Sequence, residues 1–467
     1  MKHLTRWLVV LLALAMVAAA CSQGDDGDAT DDTEATATTE ATTDSTEATD
    51  DTEATDTTMA DGGDDMELLT DFGVDTEAKT ITLGLLSDLT GPFGPLVSAI
   101  TEGIRVYWED VNANGGVNGY EVLLDVVDTV YVVDTHVQLY EEMRDDVAAI
   151  QHSTGSPHTV AILPQLAEDS MLAIPLTWYS GWSDPAINAN LISHGAPYCL
   201  ESMNGISYIA DDTGGTTIAI ASVPGDYGLD GAAGAALAAE ALGLEVVYDG
   251  SGAIIPTDET TLTAVANGIA ESGADIVWTT TTPSTMSSIF GQVIAQGWSG
   301  AWGGNSPNWS PAFVAPDSPI KDAIAEMYYN STYLAPWFDP LSADAKDLFR
   351  QYNTEAPDSD YYLEGFVEAK IMHEVLLKAF ENGDITRGGI LAAAKSLESV
   401  DVGPFAPQEV YAGEPNERVQ RQSFIGRPDP EGLAAGTSAG YVLSEGFYTA
   451  DITANFEFNE ACYSLDG

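Results

Sequence analysis

Twice along this chain, short apolar runs alternate with stretches whose apolar residues recur every three or four positions. In the first series, Ile81-Thr82-Leu83-Gly84-Leu85-Leu86 reads as a strand, and Val97, Ile100, Ile104, Tyr107 and Val111 mark one face of the helix that follows. Asn114-Gly115-Gly116 ends that helix, and a strand at 120–127, a helix at 136–145 and a strand at 147–150 come next. A second series starts near Leu200, with strands at 218–223, 245–248, 275–279 and 300–303 and helices at 231–242, 260–272 and 284–296. A long amphipathic helix at 361–380 and a shorter one at 389–399 precede a Gly-, Pro- and aromatic-rich tail, whose best strand candidates are 440–442 and 446–450. Strands separated by helices predict an α/β fold with mostly parallel sheets. Two such units of similar size predict two Rossmann-like lobes, with a ligand held between the carboxyl ends of their strands.

The N-terminus has a different character. Lys2 and Arg6 precede the apolar run 8–20, which ends in Ala18-Ala19-Ala20 before Cys21. A charged start, a short apolar middle and small residues at the break predict a secretory signal over 1–20. A Cys at that break resembles a bacterial lipoprotein box, which implies acylation of Cys21 and membrane anchoring through several acyl chains. Residues 21–78 then read as a tether, most of it rich in Thr and acid and almost free of branched aliphatic residues. Such a segment cannot bury enough apolar surface to offset its ordering entropy. The formal net charge of −58 excludes a nucleic-acid partner, which would need basic groups to meet phosphates, and suits a salty habitat. Of the three cysteines, Cys21 is assigned to the anchor, and export puts Cys199 and Cys462 in an oxidising compartment. Two leftover cysteines predict one disulfide.

Several short motifs then carry a family likeness. Thr90-Gly91-Pro92, the run Asn112-Ala113-Asn114-Gly115-Gly116-Val117-Asn118-Gly119, Gly225-Asp226-Tyr227-Gly228 and Gln296-Gly297-Trp298 stand in an order and at a spacing that resemble the branched-chain amino acid (Leu/Ile/Val) type of periplasmic binding protein. The resemblance implies two lobes, 79–200 with 331–400 and 201–330 with 401–467, joined by three crossovers near Leu200, Ser331 and Val400. It implies a hinge that closes on a small molecule, a monomer, and as partners a membrane permease with its ATPases. The protein would be extracytoplasmic and would catalyse nothing.

The resemblance also implies where the ligand sits. Hydroxyls and N–H groups for a carboxylate would come from Ser153, Thr154, Gly155 and Ser156, where a loop opens a helix and the positive dipole end favours an anion. Plain N-capping of that helix is the competing role. Thr177, Trp178 and Tyr179 match a second lining loop, with large rings where the family often has small residues; Trp182 is assigned to packing. Tyr227 matches a ligand-contacting Tyr, and Thr281, Thr282 and Asn305 stand at further contact positions. Relatives that bind amino acids pair the ammonium group with an acid in the region that here reads Trp302-Gly303-Gly304-Asn305-Ser306-Pro307-Asn308-Trp309, which holds no carboxylate. A buried ammonium without a charged partner is costly. Either another acid such as Asp226 or Glu364 replaces it, or the ligand is an amide, a urea-like compound, an aromatic acid or another carboxylate without an amine.

The residues give no sign of a cofactor or metal. The six histidines are scattered, and there is no GxxxxGK[ST] phosphate loop and no GxGxxG fingerprint. His152 beside Ser153 makes no nucleophile elbow, so a hydrolase is the weakest reading. A binding module feeding a sensor would use the same fold. If the anchor is as read, Cys21→Ser moves the protein from the membrane fraction to the soluble fraction of cells; continued sedimentation with membranes would overturn it.

Overall fold

In β3, Thr80–Ser87, the side chains from Leu83 to Ser87 are all buried, because neighbouring strands and helices enclose both faces. The structure, a computed structural model, describes residues 68–458 and 460–464; the proposed signal, Cys21 and most of the tether lie outside them. The first sheet is built on β3. It pairs in parallel with β4 (Glu121–Asp128) on one side and with β5 (Ala149–Thr154) on the other, and β5 pairs with β6 (Ala173–Leu176). The short β2 (Val74–Asp75) runs antiparallel against the start of β3, and β1 (Leu69–Thr70) pairs with β12 (Asp384–Ile385).

The second sheet has the order β14-β13-β11-β10-β9-β7-β8. Its parallel part is β7 (Thr217–Ser222), β8 (Glu245–Gly250), β9 (Ile276–Thr280), β10 (Ala301–Gly304) and β11 (Tyr328–Thr332). Two antiparallel strands, β13 (Ser423–Pro428) and β14 (Tyr441–Tyr448), extend one edge. The tail thus holds one eight-residue strand where the sequence suggests two fragments. Its pairing with β13 slips near Ile425, and Phe447 adopts a φ of 53°, which breaks the local pattern.

The chain leaves the first sheet after Leu176 and joins the second through helix Tyr198–Thr213, which packs on β10, β11 and β13. After Thr332 it returns, and helix Tyr361–Glu381 packs lengthwise on helix Gly94–Ala113 beside the first sheet. After Lys395 it passes back to β13. The crossing strands touch one another: the Gly195 N–H donates to Glu409 Oε1 at 2.9 Å, and the Ala335 N–H to the Phe405 carbonyl at 2.8 Å. Cys199, in the first turn of its helix, is disulfide-bonded to Cys462 in the C-terminal tail.

Helices Gly94–Ala113 and Tyr361–Glu381 meet backbone to backbone. A Cβ on Gly103 would lie 2.3 Å from the Tyr362 carbonyl oxygen, and one on Gly365 would lie 2.1 Å from that of Ile100. Neither obstacle is a side chain that can swing away. Gly103→Ala is therefore expected to cost about 1–3 kcal/mol through forced separation, despite the better helix propensity of Ala. Chemical denaturation followed by circular dichroism checks this; an unchanged or higher midpoint would show that the helices can part freely.

Candidate functional site

The strand ends of the two sheets face a shared cleft, and the residues there are built from ordinary α/β punctuation. β5 runs on through Gln151, His152, Ser153 and Thr154, so the polar run read as a loop from the sequence is mostly buried strand. Its polar side chains have partners inside the lobe: Gln151 accepts from Trp108 Nε1 at 3.2 Å, and Ser153 Oγ meets Thr159 Oγ1 at 2.8 Å and His136 Nε2 at 3.2 Å. The turn proper is Gly155, at a φ of 94°. A Cβ there would lie 2.5 Å from His158 Nδ1 and 2.9 Å from the Tyr131 ring, so this close approach of the rings needs glycine. Ser156 opens helix Ser156–Asp169.

Between the lobes lies a narrow cavity of about 30 Å³. Thr154, Gly155, Ser156 and Thr177 give it one hydroxyl-bearing wall. Ser156 Oγ and Thr177 Oγ1 are in close contact, and the Tyr198 hydroxyl donates to Thr177 Oγ1 at 3.4 Å. The rest is apolar or aromatic: Leu176 at the end of β6 and Trp178 beyond it, Phe93 and Leu96 at the start of their helix, and Tyr227 and Tyr198 from the side of the second sheet. Tyr198 and Tyr227 meet edge to face with ring centroids 4.7 Å apart, and Phe93 meets Tyr131 at 5.0 Å. Phe93 and Leu96 also border a wider groove of about 780 Å³ that opens outward, lined on its other side by Pro283, Trp309 and Phe313.

The structure thus brings Thr154, Gly155, Ser156, Thr177, Trp178 and Tyr227 together around one cavity and leaves the other named residues outside its walls. Ser153 is beneath the loop. Tyr179 turns away: its hydroxyl donates to the Tyr463 carbonyl at 2.6 Å, and its ring packs on Trp182. Thr282 Oγ1 donates to Thr285 Oγ1 at the head of helix Pro283–Ala295. Thr281 and Asn305 act behind Tyr227, whose hydroxyl donates to the Thr281 carbonyl at 2.9 Å and lies 3.3 Å from Asn305 Oδ1. Tyr227 itself lies in the first turn of helix Gly225–Leu242, which begins six residues before the sequence periodicity suggests because Gly225 and Gly228 hide its start.

The sequence reading missed Phe93, Leu96, Val97, Tyr131, Leu176, Tyr198 and Pro307. Phe93 lies in the loop after β3 and Tyr131 in the loop after β4, on the strand-end side where ligands bind, which was the available signal. Tyr131 also carries a left-handed backbone, φ 54°, next to Val130 at 47°. Two consecutive non-glycine residues in that region mark a local strain of the kind that gathers at functional sites.

No carboxylate lines the cavity. Acids sit behind its walls, among them Asp88, which accepts from the Phe93 N–H at 2.9 Å. Asp226 is buried in the first turn of its helix, and burial pushes its carboxyl up to about 6. Glu201 accepts from the Ser306 N–H at 3.2 Å and the Ser306 hydroxyl at 2.5 Å, so an acid does reach the Asn305–Trp309 stretch, from beneath. Asp230 holds the Ser180 hydroxyl and accepts from the N–H groups of Ser180 and Cys199, both at 3.2 Å.

The chain belongs to the periplasmic binding protein family, whose sequence model matches residues 80–436. It is 24% identical over 377 residues to a Leu/Ile/Val-binding protein homolog 7 of Brucella abortus, a match covering 76% of this chain and 90% of that one. Among solved structures it resembles a fatty acid ABC transporter substrate-binding protein from Thermomonospora curvata, with 28% identity, a TM-score of 0.74, and coverage of 83% of this chain and 97% of that one. It also resembles a branched-chain amino acid ABC transporter from Thermus thermophilus with bound valine, at 19% identity and a TM-score of 0.67, covering 82% and 98% of the two chains. These likenesses fit the two facing α/β lobes.

Burial raises the carboxyls of Glu201, Asp230 and Glu409 to about 8, about 7 and about 8. The folded chain holds protons there that the unfolded chain releases above about pH 4, so their contribution to stability is complete below that pH and is lost as pH rises through 7 to 8. The melting temperature should fall between about pH 5 and about pH 8.5, and Glu201→Gln should flatten the fall. Calorimetry across that range checks it; a melting temperature independent of pH would show that these groups ionise without cost.

Proposed function

We propose that this protein is the extracytoplasmic substrate-binding subunit of an ABC importer and that its ligand is a carboxylate with an apolar body and no amine. One observation carries the ligand class: the cavity has hydroxyls and a helix N-terminus on one wall, aromatic and aliphatic groups on the others, and no carboxylate facing it. A carboxylate would be met by the Thr154–Ser156 turn, where donors and the helix dipole favour negative charge. Its apolar body would lie against Phe93, Leu96, Trp178 and Tyr227, and a longer body would continue into the outer groove past Phe93. An α-ammonium group would find no ionised partner on the walls. The 28% identical relative described as a fatty acid binder supports an apolar acid.

In this reading the lobes are 79–200 with 331–400 and 201–330 with 401–467, and the ligand favours the state in which they close on it. The protein acts as a monomer that delivers its ligand to a permease and its ATPases, itself catalysing nothing. Cys21 carries the lipid anchor, and the acidic segment after it holds the lobes off the membrane.

A thermal-shift screen tests the ligand class. Straight-chain and aromatic carboxylates, their amides, urea-like compounds and amino acids are compared, since a ligand of the native state raises the melting temperature by mass action. Carboxylates without an amine are expected to give the largest shifts, and Tyr227→Ala to weaken the best hit by more than about tenfold, for loss of a buried ring. Shifts with amino acids alone would overturn the reading and point to Asp226 as the ammonium partner.

A further inference from the structure

Away from the ligand turn, four ionisable side chains from three segments meet in a place with no access to bulk water. Helix Tyr361–Glu381 supplies Glu364 and Glu368, one turn apart, the crossover segment supplies His194, and β5 supplies His152. All four are at most 1% exposed. His194 Nε2 lies 2.8 Å from Glu364 Oε1 and 3.4 Å from Glu368 Oε1. One ligand atom from each of these three residues falls within 4.8 Å of the other two. Among the described residues no Lys or Arg pairs with either glutamate.

The polar accounting does not close. Neither ring nitrogen of His194 and neither carboxylate oxygen of Glu364 makes a well-directed hydrogen bond, and Glu368 Oε1 makes none. Each such orphan in a dry interior costs free energy on the scale of a lost hydrogen bond, and several together call for a missing partner. Its properties follow from the groups left waiting. It must carry two positive charges to balance two carboxylates, accept a nitrogen lone pair, and fit at about 2.0–2.2 Å from each donor, a spacing that places neighbouring ligand atoms about 3 Å apart.

We propose that His194, Glu364 and Glu368 bind a divalent transition-metal ion of the zinc type. One imidazole and two carboxylates suit such an ion better than calcium or magnesium, which take all-oxygen shells. His152 supplies the support that metal ligands usually have. Its Nδ1 lies 2.7 Å from Glu368 Oε2, which fixes that carboxylate, and its Nε2 lies 2.8 Å from Thr154 Oγ1. Glu364 also borders a small cavity whose lining includes Trp178, a wall residue of the ligand cavity.

The test uses the full chain, stripped with a chelator and titrated with cobalt(II), then zinc. The expected result is one strong cobalt site per chain with intense visible absorption of four- or five-coordinate cobalt, displaced by zinc and distinct from pale, weak binding to surface carboxylates. His194→Gln and Glu364→Gln should each weaken that site by more than about tenfold while the surface binding stays, the scale seen on losing a metal ligand or its support. Only pale cobalt bands in the wild type, or an intense site that survives both substitutions, would overturn the proposal. Should the variants not fold, anomalous diffraction from zinc-soaked wild-type crystals decides: a peak beside His194 Nε2 supports the site, and its absence there removes it.

Discussion

The crossing of helices Gly94–Ala113 and Tyr361–Glu381 sets the geometry that the rest of the molecule follows. Gly103 and Gly365 let the two backbones touch, and that depth of approach brings Glu364 and Glu368 under the first sheet. From there Glu368 reaches His152, and His152 reaches the hydroxyl of Thr154 in the wall of the ligand cavity. A helix returning from the far side of the cleft is thus connected to the binding turn through two side chains. A looser crossing would draw both carboxylates away and leave His152 without its anchor.

The second governing condition is a shortage of positive charge. The sequence has 15 Lys and Arg against 73 Asp and Glu. Acids that enter the interior therefore find hydroxyls and backbone N–H groups in place of cations. Asp230 gathers Ser180 and Cys199, Glu201 gathers Ser306, and Glu409 takes the Gly195 N–H. These acids sit where the chain crosses between the lobes, and each joins segments far apart in sequence. Hydrogen bonding to a buried carboxyl offsets only part of the desolvation cost, and the raised carboxyl values record the remainder.

Much of this architecture was legible in the sequence, because period-two and period-3.6 patterns report burial directly. The strands around Leu83, Ile218 and Val277 and the helices around Ile104 and Ile269 fall where the apolar spacing puts them. The turn at Gly155 and the ring of Tyr227 were also readable, from a family likeness and not from the pattern. Polar residues inside strands were harder. Gln151, His152 and Ser153 look like a loop in one dimension, and only the third shows that Trp108, Glu368 and Thr159 hydrogen-bond to them. The wall residues Phe93, Tyr131 and Tyr198 come from three separate segments, and the His194, Glu364 and Glu368 grouping spans long sequence gaps. No spacing rule announces either set.

Residues 462 and 463 of the C-terminal tail lie against the loop after Leu176. Cys462 is bonded to Cys199, its N–H donates to Ser180 Oγ at 2.8 Å, and the Tyr463 carbonyl receives the Tyr179 hydroxyl. The loop after Leu176 is therefore tied to Cys462 and Tyr463 by two hydrogen bonds, with the disulfide to Cys199 close by. Reducing the disulfide would free Cys462 and Tyr463 and remove the tie that holds Tyr179 and Ser180 next to Trp178.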